Sequence, residues 1–335
     1  MARIFPKKRG KRAADKSQKA RSAASTSSSV GSGNGNGQGP QHVAVFSDLH
    51  CGHFVGLTPP EFDADPHTTQ DQSIDSLSGL PEHGPWSARQ LMEARALAPG
   101  VAARIRAGQL YAMRRMCWDW LMKELEPLKP QIDLAIWNGD LIDGKGPKSG
   151  QTELLTADRG VQSDMAAAVI AEVGAPVNMI AYGTPYHTGA SEDWEDEVAA
   201  KAPNVAKIGS SDWVEVNGVT IGYKHHCGRS SIPHGHFTPI AKQKLWELLW
   251  AERGDYPNSD ILVRSHVHHY RYCGGPGWVA MTTPALQGYG SKINRFALGL
   301  VDFGFVWITV YGPGDFQWEA RTLQLRRAQD AVVRL

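Results

Sequence analysis

The residues that could do chemistry sit at the ends of short apolar runs. Asp48-Leu49-His50 follows Val43-Ala44-Val45-Phe46. A carboxylate and an imidazole two residues apart, just past a strand, can converge on one cation. Alone, the pair reads equally as a capping Asp beside a surface His. Gly139-Asp140-Leu141-Ile142-Asp143 follows a second run, Ile132 to Trp137. Its glycine permits a sharp turn and leaves room for Asp140 to bridge two cations; alone it is a common turn. His225-His226 closes Ile221-Gly222-Tyr223-Lys224, and Ser265-His266-Val267-His268-His269 closes Ile261-Leu262-Val263-Arg264. Five of the thirteen histidines lie in these two strand ends. A single strand-end His is ordinarily solvated or satisfied, but five of them beside two Asp-bearing strand ends point to one site. Mixed carboxylate and imidazole ligands suit Mn, Fe, Zn or Ni rather than Ca.

The order D-x-H, G-D-x-x-D, a Gly/His element, a strand-end His and H-x-H resembles the calcineurin-like metallophosphoesterases. The resemblance spans roughly residues 42–312, and the ordered set is specific although no single block is. It implies an α/β (α+β) fold of the four-layer type, a β-sandwich flanked by helices, with a dinuclear centre at the strand ends. Carried over by position, Asp48, His50 and His268 would hold one divalent metal ion and His225 and His266 the other, with Asp140 bridging. His225 is taken before His226 because the first His of similar pairs is usually the ligand. Manganese is the first expectation for both ions, with Fe, Zn, Ni or Mg as alternatives.

Two positions depart from that pattern. Ser265 stands where the last block usually has Gly, which reads as a minor change in a turn. The third block, usually Gly-Asn-His with an acidic residue after it, here reads Gly183-Thr184-Pro185-Tyr186-His187. The Asn ligand of the second ion is missing. The Thr184 hydroxyl, a water or His187 could replace it, and His187 is expected near the metals. The expected chemistry is phosphoester hydrolysis. Two ions roughly 3.5–4 Å apart acidify a shared water, and the hydroxide attacks phosphorus in line. His187 would protonate the leaving oxygen or stabilise phosphoryl charge.

The elements that must position these residues alternate. A helix is expected over about 100–126, ended by Pro127, and others over 158–173, 192–201 and 239–253. Strands are expected at Val177–Tyr182, Trp213–Val216 and Val219–Lys224, the last two joined at Asn217-Gly218, a strong hairpin turn. Ile261–Arg264, Trp278–Thr282, Ala297–Phe303, Phe305–Tyr311 and Gln317–Leu323 complete the reading: a largely central sheet with a strand-rich C-terminal part. The candidate residues then fall at C-terminal strand ends, where open α/β sheets place ligands.

Composition bounds the rest. Residues 1–21 hold nine Lys or Arg against Asp15, a balance of +8, which leaves −7 for the remainder of a chain whose formal total is +1. Residues 1–40 form an expected disordered basic and Ser/Gly-rich tail, too poor in large apolar side chains to offset ordering entropy. Residues 41–335 are expected to be one domain with an insertion at about 52–99. The tail inclines the substrate expectation toward nucleic acid or nucleotides, as phosphate backbones attract Lys and Arg. The low-complexity tail and the GTPYHTG block are similar to phosphoesterases encoded by bacteriophages. No secretory or membrane-spanning segment is read, so cytoplasmic placement, in a host cell if phage-encoded, is expected. Cys51, Cys117, Cys227 and Cys273 show no CxxC pairing and read as free thiols; Cys51 and Cys227 lie beside candidate ligands, which leaves zinc thiolate ligation as an alternative. Two other classes stay open: a metallophosphoesterase-fold scaffold without turnover, and a His-rich module stabilised by zinc.

Overall fold

In the computed structural model the described residues are 39–63, 99–146, 150–189, 193–290 and 300–325, with 99–107 described by backbone alone. Residues 1–38 of the expected tail and 64–98 of the expected insertion lie outside them. Strand β1 (Gln41–Phe46) is short, with its last four residues apolar and buried. Its side chains alternate: Val43 and Val45 join one buried cluster, Ala44 and Phe46 another. That period of two is what lets a single strand serve two cores. Strand β2 (Leu134–Asn138) is buried at every position, as expected of a parallel strand covered on both faces.

The first sheet has the order β11-β10-β1-β2-β3-β4, adding β3 (Asn178–Ala181), β4 (Val205–Gly209), β10 (Phe303–Gly312) and β11 (Asp315–Leu323). The second has the order β5-β6-β7-β9-β8, from β5 (Asp212–Val216), β6 (Val219–Lys224), β7 (Ile261–Arg264), β8 (Arg271–Gly275) and β9 (Trp278–Thr282). β1, β2, β3 and β4 run parallel, as do β6, β7 and β9. Val43, Val45, Leu134 and Ile136 of the first sheet meet Ile221, Tyr223, Val263 and Met281 of the second in one core.

Helices α1 (Pro99–Leu125), α2 (Arg159–Val173) and α4 (Trp194–Lys201) cover the other face of the first sheet, through Leu121, Ile170 and Val198; between the last two, the single turn α3 (Pro185–Thr188) follows β3. Helix α5 (Thr238–Glu252) covers the second sheet, where Ile240 packs on Leu262 and Ala280. The layers are helix, sheet, sheet, helix: the mixed α/β sandwich that the resemblance implies. Helix α2 starts where Asp158 accepts N–H groups of Gly160 and Val161 and stops at Gly174 with φ 70°, a side-chain cap at one end and a left-handed glycine at the other.

Three local readings change. A single strand, β10, replaces the two expected at Ala297–Phe303 and Phe305–Tyr311. Residues 300–302 are not extended pairing partners, and 297–299 lie outside the described residues. Phe303 begins pairing because β11 flanks β10 from there on, and β1 joins on the other side from Val306. In place of one largely central sheet there are two, and the strand-rich C-terminal part is shared between them: β9 enters the second sheet, while β10 and β11 extend the first. β4 and β8 were not anticipated, since Ala206, Lys207, Tyr272, Gly274 and Gly275 are exposed and carry no alternating apolar signal.

Candidate metal centre

The C-terminal ends of β1, β2, β3, β6 and β7 open onto one place. After β1 and β2 the chain stays paired: the N–H of Asp48 donates to Gly139 O and that of His50 to Asp140 O, each at 3.0 Å. The N–H of Ser265 donates to His225 O at 2.8 Å, joining the ends of β6 and β7. Asp48, His50, Asp140, His266 and His268 all adopt left-handed backbone, with φ of 52°, 46°, 52°, 76° and 58°. Such conformations cost non-glycine residues about 1 kcal/mol or more each and cluster at functional sites. Two glycines are needed for space. A Cβ on Gly139, at φ 81°, would strike the His225 ring, and one on Gly183 would strike Asp140.

Potential ligand atoms fall into three groups: Asp48, His50 and His268; His50, Asp140 and His187; Asp140, His225 and His266. Asp140 stands between the His50 side and the His225 side. His268 Nε2 is 3.2 Å from Asp48 Oδ1, and His50 Nε2 is 3.3 Å from His268 Nε2. On the other side His225 Nε2 is 3.0 Å from Asp140 Oδ2, and His266 Nδ1 is 4.0 Å from the same oxygen. His226 is exposed, ring to ring with His266 at 5.0 Å, and belongs to no group. Neither Cys51 nor Cys227 joins a group, and the Cys51 thiol donates to Leu57 O at 3.3 Å.

The imidazoles are aimed by their second nitrogens. His50 Nδ1 bonds Asp143 Oδ1 at 3.0 Å, His187 Nδ1 donates to Asp143 O at 2.8 Å, and His225 Nδ1 donates to Asn138 O at 2.7 Å. A proton held on Nδ1 leaves Nε2 with its lone pair, the form that binds a metal. Thr184 caps Asp140 Oδ1 from its N–H at 2.6 Å and its hydroxyl at 3.1 Å.

The charge balance fits a cation. Asp48 Oδ1 and His225 Nε2 are buried and make no well-aligned hydrogen bond; the groups nearest them, His268 Nε2 at 3.2 Å and Asp140 Oδ2 at 3.0 Å, are themselves candidate ligand atoms, and a buried polar cluster of this kind is costly unless something satisfies it. Burial raises the Asp48 carboxyl, but the imidazoles of His268 and His225 overcome this and hold it well below the ordinary range. Burial likewise opposes ionisation of Asp140, and His225 and His187 reverse it. Burial, reinforced by the neighbouring His187, lowers His50 to about 4. At His225 burial is outweighed by Asp140 and Asp48, which raise it to about 10. A proton or a metal cation can answer those two carboxylates.

Residues that sequence reasoning left without a role complete the support. Below the cluster runs a buried polar chain. Ser47 Oγ and Ser265 Oγ each bond Thr283 Oγ1, at 2.7 and 2.8 Å, and Asn138 Nδ2 donates to Ser265 Oγ at 2.6 Å and Lys224 O at 3.1 Å. It ties the ends of β1, β2, β6, β7 and β9. Ser265 is therefore more than a turn variant. Glu195, on α4, accepts the N–H of Leu141 at 3.0 Å and that of Gly183, joining the loops that carry Asp140 and Thr184. Asn138 has a local signal, as the residue before Gly139-Asp140. Glu195 has none, since only the packing of α4 brings it there.

No protein-family model and no curated protein matches the sequence. Among solved structures, the chain is similar to Vps29 from Chaetomium thermophilum, at 12% identity and TM-score 0.37, over 84% of this chain and 95% of that one. It is similar to a predicted phosphoesterase from Streptococcus pneumoniae, at 11% identity and TM-score 0.31, over 85% and 99%. A novel archaeal phosphodiesterase gives 9% identity and TM-score 0.36, over 84% and 100%. At these identities and scores the likeness carries no statement about activity, and nothing in it bears on the bacteriophage resemblance. Among the described residues no helix is long and apolar enough to cross a membrane.

Proposed function

We propose that the chain is a metal-dependent phosphoester hydrolase, of the phosphodiesterase, phosphatase or nuclease class. Asp48, His50 and His268 would hold one divalent ion, His225 and His266 the other, and Asp140 would touch both. The observation that carries this reading is the pair of ligand triplets, Asp48, His50 and His268 on one side and Asp140, His225 and His266 on the other, with both carboxylates buried among the imidazoles. When bound, such ions activate water and neutralise charge on a phosphoryl group.

The chain's own residues orient and move protons. Asp143 and Asn138 fix the rings of His50, His187 and His225 through Nδ1. Thr184 and Glu195 hold the loops on either side of Asp140. His187, ring to ring with His50 at 4.5 Å and partly open to solvent, would donate from Nε2 to a leaving oxygen when its ring carries a second proton, the first staying on Nδ1 against Asp143 O. It lies on the His50 side of Asp140, so the shell near His225 and His266 is left to Thr184 or water. Manganese is the first metal to try. The basic residues 1–21 favour a nucleic-acid or nucleotide substrate within this class.

The test is hydrolysis of bis-p-nitrophenyl phosphate with Mn²⁺, followed by single- and double-stranded DNA, cyclic nucleotides and phosphomonoesters. Turnover that depends on metal supports the reading. Metal binding with no turnover on any substrate would favour the scaffold.

A further inference from the structure

Helix α5 is built inside out. Its sheet-facing side buries Ile240, Lys244 and Glu247. Lys244 Nζ pairs with Glu247 Oε2 at 2.8 Å and donates to Asn258 Oδ1 at 2.9 Å, while Ser259 bonds the other Glu247 oxygen. The outer side carries Leu245, Trp246, Leu248, Leu249 and Trp250, exposed by 59%, 51%, 41%, 49% and 37%. Successive turns place Leu245 and Leu249 in the middle of this face, with Trp246 and Leu248 on either side. Five such side chains leave on the order of 500 Å² of contiguous apolar surface, at the upper end of what a monomer exposes. Burying a charged pair while exposing five large apolar residues in one helix has no folding rationale.

We propose that this face is a homodimer interface, in which α5 packs antiparallel on α5 of a second copy about a twofold axis that crosses the outer face midway between Leu245 and Leu249. The helix is self-complementary in that arrangement. Leu245 falls opposite Leu249 of the other copy, and Trp246 opposite Leu248. Lys242 and Glu252, five residues either side of the centre and both exposed, fall opposite each other, so the twofold makes the Lys–Glu contact twice. With that polar rim the face approaches the roughly 800 Å² per partner of a standard interface. A lipid surface fits less well. Lys242 is balanced by Glu252, and Arg253 by Asp255 at 3.4 Å, so the rim has no cationic excess to draw anionic headgroups.

The experiment is sedimentation velocity of the full chain across a concentration series, with thermal unfolding as the control for folding. The proposal expects a dimer. The Leu245→Glu, Leu249→Glu double variant is expected to be monomeric and to unfold in one cooperative transition with the Tm that wild type shows at concentrations where it too is monomeric, as both side chains face solvent in the single copy. Lys242→Glu and Glu252→Lys are each expected to weaken dimerisation about tenfold, since symmetry repeats every repulsion, and their combination to restore it. A wild type that stays monomeric throughout, or a dimer indifferent to the leucine variants, would overturn the proposal. So would a charge combination that fails to recover the affinity both single reversals had lost. A monomer that co-sediments with phosphatidylcholine and phosphatidylserine vesicles would assign the face to lipid instead.

Discussion

Asp143 holds His50 from behind: its Oδ1 bonds the Nδ1 of His50 at 3.0 Å, while its backbone carbonyl accepts from His187 at 2.8 Å. One residue thus sets the tautomer of two imidazoles that close on the same space. Burial opposes its ionisation, and the His50 hydrogen bond and charge reverse this, so it is held as the carboxylate.

Asp143→Asn should leave the fold intact and weaken binding of the ion on the His50 side. The amide can offer its NH₂ where the Nδ1–H needs an acceptor. Loss of a carboxylate behind a metal-ligating His costs roughly 10–100-fold in affinity or activity. Calorimetric titration of metal into the metal-free variant checks this, and wild-type affinity at both sites would show that Asp143 does not orient His50.

His187 and Thr184 separate by role. His187→Ala should lower kcat by roughly 10²-fold or more, the usual worth of a positioned acid. Thr184→Val should cost less than about tenfold, because the Thr184 N–H still caps Asp140 after one neutral hydroxyl contact is lost. Steady-state kinetics on a chromogenic diester decide it. Equal losses would mean that Thr184, not His187, supplies the missing contact.

Much of this candidate site was legible in the sequence because its candidate ligands travel in local blocks. Asp48 and His50, or His266 and His268, are two residues apart, and parallel pairing at strand ends brings such blocks together. The preference for His225 over His226 comes only from family likeness; in the structure His225 is buried and His226 exposed. Asp143 stood in a quoted motif without a role, because a ring's second nitrogen leaves no trace in spacing. Glu195 was illegible, since it acts from a helix surface across two loops. The ends of β10 were misplaced because an apolar run beyond a strand looks like strand until its pairing partners are known.

Ser265→Ala should destabilise the protein by about 1–3 kcal/mol, the cost of leaving buried polar partners unsatisfied. Asn138 and Thr283 would lose their shared hydroxyl. Denaturant midpoints of the two proteins, with equal slopes, measure the difference. An unchanged midpoint would mean that the chain of hydroxyls adds nothing to the strand ends.

Glu195 gives a pH signature. Burial, with the nearby Asp140 charge, pushes its carboxyl up to about 8 from an ordinary 4.5, against the opposing N–H bonds from Leu141 and Gly183. A carboxyl raised on folding contributes stability that is complete below the ordinary value and is lost as pH rises through about 8. In chelator, the stability of wild type relative to Glu195→Gln should therefore fall between pH 4.5 and 8. Thermal unfolding of both proteins across that range checks it, and parallel curves would contradict it.

The central claim is that Asp140 joins two cation sites in one catalytic centre. Its most direct test is metal content and diester hydrolysis measured together on wild type and Asp140→Asn. Two divalent ions per chain in the wild type are predicted, with a folded variant that holds fewer and turns over roughly 10³-fold more slowly. An Asp140→Asn protein that keeps two ions and near-normal rates would contradict the account.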